Sequence, residues 1–143
     1  MIRLAGQDDL AILLELYTHL HGNEMPGELP EALWRDILTD PNHDVIIAEE
    51  DGLAASSCVL IVVPNLTHRQ RPYALIENVV THEAYRGRGL ASAVLAFAKN
   101  IAQRRGCYKI MLMTGSKEES TLRFYEHAGY NREDKTGFVQ WLG

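Results

Sequence analysis

The chain has little cysteine, no long hydrophobic run and less basic than acidic charge, and each shortage narrows what it can be. Two cysteines in 143 residues, Cys58 and Cys107, are too few for a disulfide framework. Both lie in apolar runs, where a thiol behaves as a small hydrophobe. No run approaches the roughly 20 apolar residues that span a bilayer. The opening MIRLAGQDDL has no basic start leading into an apolar stretch, so the cytoplasm is the expected location and no membrane partner is expected. Lys and Arg number 14 against 19 Asp and Glu, and the net charge of −5 argues against a general nucleic-acid binder. Histidines are scattered, and a helix would point His19 and His21 to different faces, so no metal site is expected.

What is present reads as one α+β domain over residues 1–143, with 46% hydrophobic and 23% charged residues. IRLA at 2–5 suggests a first strand. A helix from about 8 to 21 follows from Leu10, Leu13, Leu14, Tyr17 and Leu20, with Gln7-Asp8-Asp9 as N-cap oxygens. GNEMPGELP is a loop, and Pro30 starts a second helix with Leu33, Trp34, Ile37 and Leu38 on one side, ended by Asp40-Pro41. DVIIAEE, the turn signal Asp51-Gly52 and LAASSCVLIVV predict an antiparallel hairpin. PNLTHRQRP, residues 64–72, is a polar loop, and YALIENVVT is a further strand.

The segment after RGRGLA, residues 86–91, is a helix with Leu90, Val94, Phe97, Ala98 and Ile101 on one face. YKIMLMT, apolar on both faces, reads as a central strand. STLRFYEHAG is a short helix stopped by Gly129 at C′, and GFVQWL is a last strand. The expected order is β-α-α-β-β-β-α-β-α-β, a central mixed twisted sheet of six to seven strands flanked by about four helices.

A strand running through glycines into a helix leaves first-turn N–H groups without carbonyl partners, in the positive field of the helix N-terminus. Such a turn suits phosphate, and Arg86 and Arg88 add planar cationic donors. Two phosphate-binding designs fail here. No lysine followed by Ser or Thr comes after the glycines, and Ser92 stands three positions after Gly89 where a dinucleotide fingerprint has glycine.

Arg86, Gly89 and Ala91 match a third pattern: Arg or Gln, two free residues, Gly, a free residue, then Gly or Ala. With IENVVTHEAYRGRGLA, GCYKIMLM and STLRFYEHAGY in this order, residues 73–130 resemble the GNAT superfamily of acetyl-CoA-dependent N-acetyltransferases. The resemblance implies that the strands on either side of the glycine helix splay apart and that the pantetheine arm of acetyl-CoA lies in the gap. It would bond the main chain of Val79, Val80 and Thr81. The pyrophosphate would lie on the backbone of Arg86, Gly87, Arg88, Gly89, Leu90, Ala91 and Ser92. Many members carry an asparagine before the tyrosine helix that bonds pantetheine; here TGSKEES offers Ser116 or Ser120.

N-acetylation needs a neutral amine, whereas an alkylamine with a pKa of about 10 is protonated at neutral pH. Glu77, within ALIENVVT, is the candidate base, since an apolar setting would raise its pKa toward useful values. Tyr125 in RFYEHAGY matches the tyrosine that protonates the leaving thiolate in many members. The acceptor is expected to be a primary amine of a small molecule, such as an amino sugar, aminoalkyl compound or polyamine. A protein N-terminus or lysine, or a catalytically silent acyl-CoA-binding module, is the alternative. IE-x-x-V and GCYKI are shared with glucosamine-6-phosphate N-acetyltransferases, although Asn78 stands where those typically have aspartate. Members often pair through their sheets, which makes a homodimer an expectation as well.

Overall fold

Two apolar tracts decide the centre of the molecule. In the computed structural model, which describes residues 1–20 and 22–143, they form β2 (His43–Glu50) and β3 (Leu53–Val63), joined at Asp51-Gly52. Both turn residues have positive φ, 53° and 77°, the backbone of the two-residue hairpin turn whose twist matches its strands. β1 (Ile2–Leu4) pairs with β2, and β4 (Tyr73–Thr81) with β3, all antiparallel. β5 (Ile110–Leu112) joins β4 in parallel, so the mixed sheet runs β1-β2-β3-β4-β5.

Because β2 and β3 have neighbours on both edges, alternate side chains fill two separate cores. Ile46, Ala48, Cys58, Leu60 and Val62 face one way, against Val94, Leu95, Ala98 and Ile101 of α4 (Leu90–Arg104), the crossover a parallel pair requires. Val45, Ile47 and Val59 face the other way, against Leu10, Leu13 and Leu16 of α1 (Leu10–Tyr17) and Trp34 of α2 (Glu31–Thr39). Burying one such aliphatic side chain contributes roughly 1.5–3 kcal/mol. The α4 stripe read from the sequence is therefore the packed face. α5 (Glu119–His127) ends at Gly129, whose φ of 105° and N–H bond to the Glu126 carbonyl make it the expected C′ stop.

Four features depart from the sequence reading. The sheet has five strands, not six or seven, because GFVQWL makes no strand: residues 131–143 carry no regular element and are exposed. β5 is consequently an edge strand of three residues, not a central one; its apolar side chains pack only partly, against the α4 core. Among the described residues there are five helices, the extra one being the single turn α3 (Thr67–Gln70) inside the predicted loop. His68, Arg69 and Gln70 have φ of 51°, 60° and 59° there, a left-handed backbone that no periodicity signals. α1 begins two residues late, after a 3-10 turn at Gln7–Asp9, and ends early at Tyr17, residues 18–20 being turn and bend; residue 21, the predicted end, lies outside the described residues.

The late start has a cause. Asp9 does not cap α1; its carboxylate accepts from Arg3 Nη1 and Nη2 at 2.6 and 2.9 Å and from the Gly6 N–H at 2.6 Å. Arg3 also donates to Glu49 Oε1, from Nη2 at 2.6 Å, tying β1, β2 and the entry to α1 into one fork. The Arg3 guanidinium holds the Asp9 carboxyl below its ordinary value. The stabilisation is therefore present above the ordinary carboxylate pKa of about 3.9 and is lost as pH falls through the lower folded value. Arg3→Met is expected to cost about 1–3 kcal/mol in urea unfolding near neutral pH. The gap between variant and wild type should narrow progressively as pH falls below the ordinary carboxylate range; a gap independent of pH would remove the ion pair as its source.

Candidate active site

β4 cannot remain flat along its length. Ala74 and Ile76 pack into the α4 core, yet Val80, an even number of residues on, belongs to the α1 core, while Val79 packs on the α4 side. One residue is absorbed between them. Glu77 pairs with Val59 and Val80 with Ser57, so Cys58 alone opposes Asn78 and Val79: a β-bulge. Asn78 takes a φ of 53°, one of the few side chains that tolerate the left-handed region. The parallel pairing of β4 with β5 covers only Ala74–Ile76 against Ile110–Leu112. From Glu77 onward the two strands part, as the resemblance implies.

The parted strands open onto a cleft of about 640 Å³, in the range of ligand pockets. One wall is the turn and helix that follow β4: Thr81, Tyr85, Arg86, Gly87, Gly89, Leu90, Ala91 and Ser92. The other is α5, with Ser120, Thr121, Phe124 and Tyr125. Gly87 and Gly89 have φ of 78° and 76°, so both need glycine for the backbone itself. A Cβ at either would meet no atom within 4 Å, so the space above them is open. No side chain caps α4, whose N-cap is Gly89, and its first-turn N–H groups remain available to an anion. Donor set and open space fit a pyrophosphate.

Of the fourteen predicted residues, nine line the cleft and five, Glu77, Val79, Val80, Arg88 and Ser116, do not. Thr81, Arg86, Gly87, Gly89, Leu90, Ala91, Ser92, Ser120 and Tyr125 come together in the cleft. Arg88 lies outside its lining, with its guanidinium 4.9 Å from the Tyr85 ring centroid. Ser116 is engaged locally, donating to Thr121 Oγ1 and accepting from the Glu118 N–H, both at 3.2 Å. Val80 is buried and its carbonyl accepts from Ser56 Oγ at 3.0 Å. Glu77 is exposed just before the bulge, so the apolar setting expected for it is not what surrounds it.

Tyr125 is half-buried between Phe124 and Tyr130, at ring-centroid distances of 5.1 and 6.4 Å. Burial raises its hydroxyl pKa above the ordinary value, so it stays protonated through neutral pH, the state a proton donor needs. Cys58, fully buried under the bulge, is pushed up to about 12 by the same cause and is no nucleophile. Three cleft residues escaped the sequence reading: Tyr85, Thr121 and Phe124. Tyr85 stands immediately before RGRGLA, and its hydroxyl donates to Asp51 Oδ2 at 3.0 Å, fixing the loop to the β2-β3 turn. Proximity to the motif was its only signal.

The model of the acetyltransferase (GNAT) family matches residues 10–130. The chain belongs to that family. The enzyme is accordingly an acetyl-CoA-dependent N-acyltransferase. A putative acetyltransferase from Agrobacterium tumefaciens superimposes with a TM-score of 0.92 at 40% identity, with 99% of both chains covered. A glucosamine 6-phosphate N-acetyltransferase of Trypanosoma brucei brucei is 29% identical over 140 residues, 94% of this chain and 90% of that protein. The Arabidopsis thaliana glucosamine-6-phosphate N-acetyltransferase shares the fold, with a TM-score of 0.87 at 20% identity and coverage of 100% of this chain and 98% of that one. Among the described residues of this GNAT enzyme, no group of three or more His, Cys, Asp or Glu is placed to hold a metal, and no helix is long and apolar enough to cross a membrane.

Gly89→Asp puts a carboxylate over the anion-binding turn at a φ that strains any side chain, though aspartate less than most. Calorimetric titration with CoA is expected to show affinity reduced by roughly 100-fold, about 2.7 kcal/mol, with the circular dichroism spectrum retained. Undiminished affinity would remove the glycine turn from cofactor binding.

Proposed function

We propose that this GNAT enzyme, in the cytoplasm, transfers the acetyl group of acetyl-CoA to a primary amine of a small molecule, by direct attack with both reactants bound. One observation carries the reading: the glycine turn and Tyr125 line a single cleft where β4 departs from β5. Acetyl-CoA supplies an activated acyl group on a thiol. The chain's own residues have three tasks around it.

The α4 N-terminus and Arg86 bind the anionic end, through backbone N–H groups and a planar cation. The main chain of Val79 to Thr81, left without a partner on the β5 side, aligns the arm. Glu77, in water at the bulge, takes the ammonium proton directly or through one water and so releases the amine lone pair. As the new C–N bond forms and the C–S bond breaks, Tyr125 gives its hydroxyl proton to the departing sulfur and is reprotonated, through water, by the second proton that the nitrogen sheds on becoming a neutral amide. A small acceptor is supported by the trypanosomal relative's name, which puts amino sugars first in a substrate panel.

Thiol release from acetyl-CoA against amino sugars, aminoalkyl compounds, polyamines and lysine peptides tests the reading. Turnover on a small amine is the expected result. Turnover on peptides alone overturns the substrate class, and CoA binding without turnover on any amine overturns the activity. Tyr125→Phe is expected to lower kcat by about 100-fold with little change in CoA affinity. Because burial raises the Tyr125 pKa, wild-type activity should show no alkaline loss from this group below about pH 10. Glu77→Gln is expected to lower kcat by about 100-fold; undiminished turnover would assign the base elsewhere.

A further inference from the structure

Ser56 carries a hydroxyl where an alanine would fill nearly the same space. It lies on β3 with no exposed surface, opposite Ala48 of β2 on one side and Thr81 of β4 on the other. A buried hydroxyl costs stability unless it is hydrogen-bonded, and both partners of this one belong to the end of β4 that borders the cleft. Ser56 Oγ lies 3.0 Å from the Val80 carbonyl oxygen and 2.9 Å from Thr81 Oγ1. A hydroxyl has one proton to give and a carbonyl can only accept, so the Ser56 proton goes to Val80. The contact with Thr81 is then made by the Thr81 proton. Toward the cleft that it lines, Thr81 has an acceptor to offer and no donor.

The main chain agrees with this direction. The Val80 carbonyl turns to β3, and so does the His82 N–H, which donates to the Ala55 carbonyl at 2.8 Å. Along a strand these groups point alternately to one edge and the other, so the N–H and C=O of Val79 and Thr81 turn to the edge where β5 is absent. We propose that Ser56 is a positioning residue for the cofactor: by holding the Val80 carbonyl and taking the Thr81 proton, it fixes Thr81 Oγ1 as a hydrogen-bond acceptor for the pantetheine arm of CoA. The arm supplies the donors, its amide N–H groups and its hydroxyl. Thr81 thereby reads the arm by a side chain as well as by its backbone, and Ser56 acts without touching the ligand. The proposal rests on the reading that the arm lies along the bare edge of β4.

Calorimetric titration of the full chain with CoA and with 3′-phospho-ADP, which is CoA cut at its pyrophosphate and so lacks the arm, tests it. Thr81→Val keeps the shape and removes the acceptor. CoA affinity is expected to fall about 10-fold, with the affinity for 3′-phospho-ADP unchanged and CoA binding restored in Thr81→Ser. Ser56→Ala should weaken CoA by about fivefold, again without effect on 3′-phospho-ADP, and the double variant should bind CoA no more weakly than Thr81→Val alone, because the two hydroxyls act as a unit. Equal losses for both ligands overturn the proposal in favour of a purely structural role for the pair. Undiminished CoA affinity in Thr81→Val, or losses that add in the double variant, overturn it as well. Wild-type protein that binds 3′-phospho-ADP as tightly as CoA removes the arm from β4 altogether, and the proposal falls with that reading.

Discussion

Everything distinctive in this molecule depends on β4 changing face at Asn78. Before the bulge the strand serves the α4 core and is paired on both edges; after it, Val80 serves the α1 core and the β5 edge is bare. The exchange inserts one residue, and the backbone must absorb it in a conformation that most side chains refuse. β5 stops at Leu112, opposite Ile76, so Glu77 to Thr81 run on with that edge unpaired. The bare edge therefore begins where the strand changes face, between two apolar cores competing for it.

The same displacement sets the glycine turn at the mouth of the gap. Thr81 ends the strand, a single 3-10 turn at Glu83–Tyr85 redirects the chain, and Gly87 and Gly89 complete the reversal into α4. The turn is held from outside: His82 Nδ1 accepts from the Ala84 N–H at 3.0 Å, and Tyr85 reaches Asp51 in the β2-β3 turn. Such support matters because α4 gains nothing from a side-chain cap. A helix end left in this way gives up some stability for an open donor set.

Much of this was legible in the sequence because it rests on local chemistry. The β4 limits at Tyr73 and Thr81, the hairpin at Asp51-Gly52, the start of α4 at Leu90 and the stop at Gly129 all follow from periodicity and turn residues. The nine cleft residues anticipated between Thr81 and Tyr125 came instead from the resemblance to the GNAT superfamily. What was not legible depends on pairing across the chain. Glu77 read as a carboxylate in an apolar strand because nothing local marks the bulge that turns it to water. YKIMLMT read as central from its hydrophobicity alone, whereas its half-buried state reflects a missing outer neighbour. The Arg3 fork joins positions 3, 9 and 49, a separation that no sequence window spans.

Charge was the feature most open to misreading. An acidic chain would be a poor host for a ligand with several phosphates if its charge were evenly distributed, yet residues 1–51 hold 12 of the 19 Asp and Glu and only 2 of the 14 Lys and Arg. At physiological ionic strength, exposed charges more than about 8 Å away are largely screened. What acts on the ligand is local: the α4 dipole, Arg86, and a turn in which Asp51 accepts from Tyr85 while Arg88 stacks on the same ring. The Tyr85 hydroxyl thus occupies the nearest carboxylate of the β2-β3 turn, and Arg88 adds positive charge beside the site without standing in the cleft. Net charge tells which partners the protein as a whole repels; the cleft answers to the few groups within a screening length of it.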